Sequence, residues 1–227
     1  MKAQPLRARS APDLHRFNAA ERAVIERHRT PYQVQQFLNA LPYNAEPDGD
    51  TLRSFRGVIE RGTAHCLEAA LTAAVILEHH GYPPLLLDLA SQDGLDHVLF
   101  LYRKGRRWGT VSRSRDPGLH GRKPVFSSLR ALVDSYFEPY IDCSGRILGY
   151  GVADLQDLDP YPWRSSVKNV WRVERFLIEL PHTPFHGSDR RYARWHSRYL
   201  AYRRRFPERK PIYYPGRRAW TAGYPKR

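Results

Sequence analysis

The run Gly62-Thr63-Ala64-His65-Cys66-Leu67-Glu68-Ala69-Ala70-Leu71-Thr72-Ala73-Ala74-Val75-Ile76-Leu77 constrains this chain more than any other stretch. It reads as a helix apolar on nearly every side, and such a helix must be buried. Gly62 and Thr63 offer an N-cap at its start, and Gly81 followed by Pro83 and Pro84 ends it. Alanines at 69, 70, 73 and 74 let neighbouring backbone come close. Cys66 falls in the first turn, where unpaired N–H groups and the positive end of the helix dipole favour an anion such as a thiolate. The plainer reading of Cys66 is a small buried hydrophobe.

The rest of the chain must cover this helix. Asn18-Ala19-Ala20-Glu21 and Thr30-Pro31-Tyr32-Gln33 read as capping boxes opening two helices, the second with Val34, Phe37, Leu38 and Leu41 on one face. Thr51 begins a short helix that turns Leu52, Phe55, Val58 and Ile59 inward. Beyond Pro84 the texture becomes that of strands: Leu85 to Leu89, Asp96 to Tyr102, and Arg107 to Ser112. Residues 127–138 read as a helix, Arg146 to Val152 as a further strand, and Ser166 as the cap of a helix carrying Val170, Trp171, Phe176 and Leu177. The predicted class is α+β: N-terminal helices and a buried Cys-bearing helix on a small antiparallel sheet, followed by C-terminal helices.

Charge divides the chain unevenly. Of the formal +14, residues 189–227 contribute +11, from thirteen Lys/Arg against two acidic residues, leaving about +3 for the remainder. Within that segment Tyr192, Trp195, Tyr199, Tyr202 and Phe206 recur at steps of three and four, one face of a helix that should dock. The expected organisation is a flexible basic arm over 1–16, a domain over 17–187, and a basic aromatic helix and tail over 188–227. No run approaches ~18 apolar residues, so no membrane span is expected. No apolar segment follows Met1, and Cys66 and Cys143 are the two cysteines, which suits a reduced, cytoplasmic setting. Zinc-type spacings and phosphate-binding glycine loops are absent from the sequence, so neither metal nor cofactor is expected.

A nucleophilic cysteine needs a base and something to orient the base. His65 adjoins Cys66, but neighbours on a helix diverge by about 100°. His79 and His80 lie at the far end of the same helix. His97, heading an apolar strand, is the better candidate. A hairpin turning at Lys104-Gly105 sets His97 directly opposite Ser112; a turn at Gly105-Arg106 sets it opposite Ser114. Asp96 points to the other face of its strand. Arg113, Arg115, Arg122 and Lys123 read as solvated charges or as a site for an acidic group.

Cysteine at the head of an Ala-rich helix ending in Gly-Tyr-Pro-Pro, then Asp96-His97-Val98, then a glycine turn and Trp108 four residues before Ser112, resembles the transglutaminase-like superfamily. The likeness spans roughly residues 50–126, and the chain resembles an uncharacterised bacterial branch of that superfamily in particular. It implies a papain-like fold with Cys66 as nucleophile, His97 as base and Ser112 at the third position, where the family usually carries Asp. The reaction implied is attack of the Cys66 thiolate on an amide or ester. Water then resolves the thioester in a protease or amidase, and an amine resolves it in an acyltransferase. The substrate implied is a peptide or amide. The alternative is a catalytically degenerate scaffold whose residues 189–227 bind a polyanion, a nucleic acid or an acidic partner.

Overall fold

The structure, a computed structural model, describes residues 11–208; the first ten residues of the basic arm and residues 209–227 of the tail lie outside the described residues. The described residues form eight α-helices and one six-stranded sheet in which every neighbouring pair is antiparallel, an α+β fold. None of these helices is long and apolar enough to cross a membrane.

Both N-terminal capping boxes are formed. Helix α1 (Ala19–Arg27) starts at Asn18, which exchanges hydrogen bonds of 2.9 and 2.8 Å with Glu21. Helix α2 (Pro31–Ala40) starts at Thr30, which does the same with Gln33. Helix α3 (Phe55–Arg61) is capped by Ser54, so it begins later than Thr51. Thr51 is drawn off by carboxylates instead: its amide donates to Glu46 and its hydroxyl to Glu68. Gly62 adopts φ +68° and ends α3 rather than capping the next helix. Helix α4 (Cys66–Glu78) therefore starts at Cys66, with His65 as its N-cap. From Ala69 to Leu77 every residue of α4 is sealed from solvent, against Val34, Leu38, Phe55 and Val58 of the earlier helices and Leu86, Val98 and Phe100 of the sheet.

The strands are β1 (Leu85–Ser91), β2 (His97–Lys104), β3 (Arg107–Val111), β4 (Arg122–Phe126), β5 (Ile147–Asp154) and β6 (Thr183–Pro184), in spatial order β4-β3-β2-β1-β5-β6. Leu86 joins the α4 core, whereas Leu85, Leu87 and Leu89 join a second core on the opposite face with Leu132, Phe137 and Trp195. A sheet covered on both faces explains why β1 reads as an unbroken apolar run.

The β2–β3 hairpin turns at Gly105-Arg106, since Lys104 pairs with Arg107 and Phe100 with Val111. Gly105 takes φ +58° at the first central position, where a type II′ turn places its glycine. A turn on Lys104-Gly105 would have put lysine there instead. The observed register is thus two residues away from the one opposing His97 to Ser112, and preserves which side chains share a face.

Residues 127–138 hold two short helices rather than one, α5 (Leu129–Asp134) and the start of α6 (Phe137–Tyr140). Strand β4 goes unannounced in the sequence. Its Arg122 is not solvated but fully buried, stacked 3.8 Å over the Tyr136 ring and donating to the carbonyls of Gly118, His120 and Ser135. Helix α7 (Trp171–Ile178) begins after Val170, whose amide is held 2.7 Å from the Leu52 carbonyl; Ser166 turns its hydroxyl to Lys168 instead. Helix α8 (Asp189–Arg205), capped by Ser188, lays Trp195 and Tyr199 inward.

Candidate active site

His65 decides how α4 begins. Its backbone is extended (φ −86°, ψ −176°), so the 100° divergence of successive helical side chains does not apply to the step from His65 to Cys66. Its ring folds back over the helix terminus. Nε2 donates to the Thr51 carbonyl at 2.9 Å, and Nδ1 lies 3.2 Å from the Leu67 amide. Beneath it the buried Glu68 carboxylate accepts from the amides of His65 and Arg53, the Asn44 side chain and the Thr51 hydroxyl. Four donors on one carboxylate satisfy a charge that would otherwise be costly to bury.

Cys66 occupies the first helical position, partly accessible, and lines one cavity with His65 and His97. The dismissal of His65 on helical divergence is therefore corrected: its extended backbone brings this ring to the same cavity as Cys66 and His97. Burial pushes the thiol up, but the hydrogen bonds from His65 and His97 and the positive charge of both rings outweigh it and bring Cys66 down to about 5. Burial pushes His65 down, yet its hydrogen bond to Cys66 and the charges of Glu68 and Cys66 raise it to about 9. The Leu67 amide is the one contact favouring a neutral His65 ring.

His97, at the head of β2, is 4 % exposed. Its Nε2 lies 2.9 Å from the Leu119 carbonyl and 3.0 Å from the Ser112 hydroxyl. A carbonyl can only accept, so Nε2 carries a proton and Nδ1 is the nitrogen left for the sulfur. Ser112 thus reaches His97 although the register does not set the two opposite. Continued from Phe100–Val111, that register sets Ser112 against Leu99, and its hydroxyl approaches the imidazole diagonally on the shared face. Ser114, the residue aligned with His97, instead accepts the Asp116 amide at 3.1 Å. Asp96 accepts the Ser91 amide across the β1–β2 turn.

Two supports of this arrangement have no signature in the sequence. The first is Gln35 of α2, buried, which clasps Ser112 through its main chain: Nε2 donates to the Ser112 carbonyl at 2.7 Å and Oε1 accepts its amide at 3.0 Å. The second is the loop carrying Leu119, which Arg122 grips through the carbonyls on either side, Gly118 and His120. Gln35 contacts a residue 77 positions away, and a backbone carbonyl is the same whatever side chain accompanies it.

Cys66, His65 and His97 open onto a cavity of about 350 Å³ whose walls include Tyr43, Leu95, Leu119 and Tyr140. A second cavity of about 330 Å³, bounded by Leu52, Leu67 and Trp171, shares His65 and Glu46 with the first. The arrangement sets a thiol and two imidazoles, one with its Nε2 held by a carbonyl and a hydroxyl, on the wall of one cavity.

No family model matches the chain, and no curated protein matches it. Among solved structures, Legionella pneumophila LapG is similar over 65% of this chain and 88% of that one, at 13% identity and a TM-score of 0.37. A similarity of that size carries no argument about fold or activity, and the reading of the site rests on its own geometry.

Proposed function

We propose that this protein is a transglutaminase-like cysteine-nucleophile hydrolase or acyltransferase acting on the amide or ester bonds of a peptide or amide substrate. The observation that carries the reading is the Cys66 thiol at a helix N-terminus between two imidazoles, lowered to about 5 and open to a cleft. The motif likeness across residues 50–126 supports the same reading.

In this mechanism the Cys66 thiolate attacks the carbonyl carbon. The Cys66 N–H, among the first-turn donors left without an intrahelical acceptor, holds the developing oxyanion. His97 Nδ1 delivers its proton to the leaving amine or alcohol. The Leu119 carbonyl and Ser112 hydroxyl keep Nε2 occupied, so the ring cannot turn its wrong nitrogen to the sulfur. That duty falls to aspartate in the family. A carbonyl and a hydroxyl orient the ring as well but stabilise imidazolium less, and His65 supplies positive field from the other side.

Iodoacetamide alkylation mapped by mass spectrometry tests this. As pH falls through about 5, the thiolate is protonated and labelling of Cys66 should fade; above that pH it should proceed well ahead of Cys143. Equal labelling of both cysteines at pH 6 in folded protein removes the basis for the reading.

A further inference from the structure

An oxyanion formed at Cys66 needs a second donor besides the Cys66 amide, since such sites work by pairing donors around one oxygen. The cleft offers few. Asn44 spends its amide hydrogens on Thr51 and Glu68. Tyr140 donates to the Leu95 carbonyl at 2.7 Å. His65 gives Nε2 to the Thr51 carbonyl, and the Ser114 hydroxyl, which accepts the Asp116 amide and keeps its own hydrogen, is only 8 % exposed. Arg115 is exposed. Tyr43 remains. It lines the same cavity as Cys66, and among the described residues its hydroxyl has no hydrogen-bond partner.

Its backbone is fixed relative to the nucleophile. Tyr43 forms an isolated parallel bridge with Ala64, two residues before Cys66. The Asn44 amide donates to the Ala64 carbonyl at 3.2 Å and the Ala64 amide to the Pro42 carbonyl at 3.3 Å. The ring is flanked by the Arg113 guanidinium, centred 6.0 Å away and itself tied to the Leu41 carbonyl.

We propose that Tyr43 is a catalytic residue, its hydroxyl donating with the Cys66 amide to the oxyanion of the acylation step. This rests on the acyl-transfer reading of Cys66. The step balances without a proton leaving Tyr43. The sulfur lone pair forms the S–C bond while the carbonyl π pair moves onto oxygen, where both donors meet it. The pair then returns to re-form C=O, the bond to the leaving group breaks, and that group takes its proton from His97. Burial and the neighbouring Cys66 charge raise Tyr43 to about 12, so the hydroxyl keeps the hydrogen that it must donate.

The test separates alkylation from acylation in the full-length protein. Iodoacetamide builds no oxyanion, whereas p-nitrophenyl acetate does. Tyr43→Phe should slow acylation of Cys66 by roughly 10²-fold, the size of effect seen when one oxyanion donor is removed. Its alkylation rate and pH midpoint should stay at the wild-type values, and its melting temperature should hold because no protein hydrogen bond is lost. Wild-type acylation in Tyr43→Phe overturns the assignment, as does alkylation falling in parallel, which would make Tyr43 a thiolate-tuning group. If wild-type protein releases p-nitrophenol no faster than Cys66→Ala, the acyl-transfer reading itself fails and takes this proposal with it.

Discussion

A sulfur flanked by two imidazoles need not use them alike. His97 presents the nitrogen left free by Leu119 and Ser112, which suits proton delivery. His65 is committed to the Thr51 carbonyl and the helix terminus, which suits a fixed positive field. His65→Asn keeps a good N-cap while removing that field, so the alkylation midpoint of Cys66 should rise by about one pH unit or more. Acyl transfer should survive in this variant at a pH above the new midpoint. His97→Asn should raise the midpoint too, but leave acylation lost at every pH; acylation persisting there would move the proton-carrying role to His65. Ser112→Ala removes one neutral hydrogen bond of two to Nε2, about 0.5–1.5 kcal/mol, so acylation should slow by no more than roughly tenfold. A loss of several orders of magnitude would mean that the Leu119 carbonyl does not orient the ring alone.

At the scale of elements, the site depends on how α2 meets the end of β3. Gly121 lets the chain pass there: a Cβ would collide with Gln35 Oε1 and the Thr110 carbonyl. Gly121→Ala should therefore cost about 1–3 kcal/mol through overpacking. Gln35→Ala should cost a similar ~1–3 kcal/mol by leaving buried main-chain groups of Ser112 unpaired. Chemical denaturation reads both, and both should slow acylation more than Ser112→Ala does, because they displace the whole residue. The same junction marks the limit of what the sequence discloses. The Ala-rich helix, its cysteine, the two capping boxes and the face shared by His97 and Ser112 follow from periodicity and strand parity. The hairpin register does not, because Gly105 can serve either turn and only the twist of the ribbon selects type II′. His65 is missed because its role depends on one residue of helix boundary. Strand β4 is missed because Arg122-Lys123-Pro124 has the composition of a loop.

At the scale of the whole molecule, two properties of the C-terminal segment separate. Helix α8 is structural: Trp195 is buried in the second core, while Arg191 pairs with Asp134 and Glu138, and Arg146 with Asp189. Trp195→Ala should cost about 3–5 kcal/mol, as for other large buried aromatics, and truncation after Gly187 should lower the melting temperature further. The exposed face of α8 carries Arg190, Arg194, Arg198, Arg204 and Arg205, and residues 209–227 add six Lys/Arg with no acidic residue. We propose that this charge binds polyanions weakly and without sequence preference. Because truncation after Gly187 disturbs the core, the cleaner variant ends at Glu208 and retains α8. Its binding to a single-stranded oligonucleotide should show a shallower dependence on salt, each lost phosphate contact removing about 0.7 from the slope of log K against log salt. Alkylation of Cys66 should be unaffected. An unchanged slope would assign the contacts to α8 or the body of the protein, and a change at Cys66 would mean that the terminal residues communicate with the cleft.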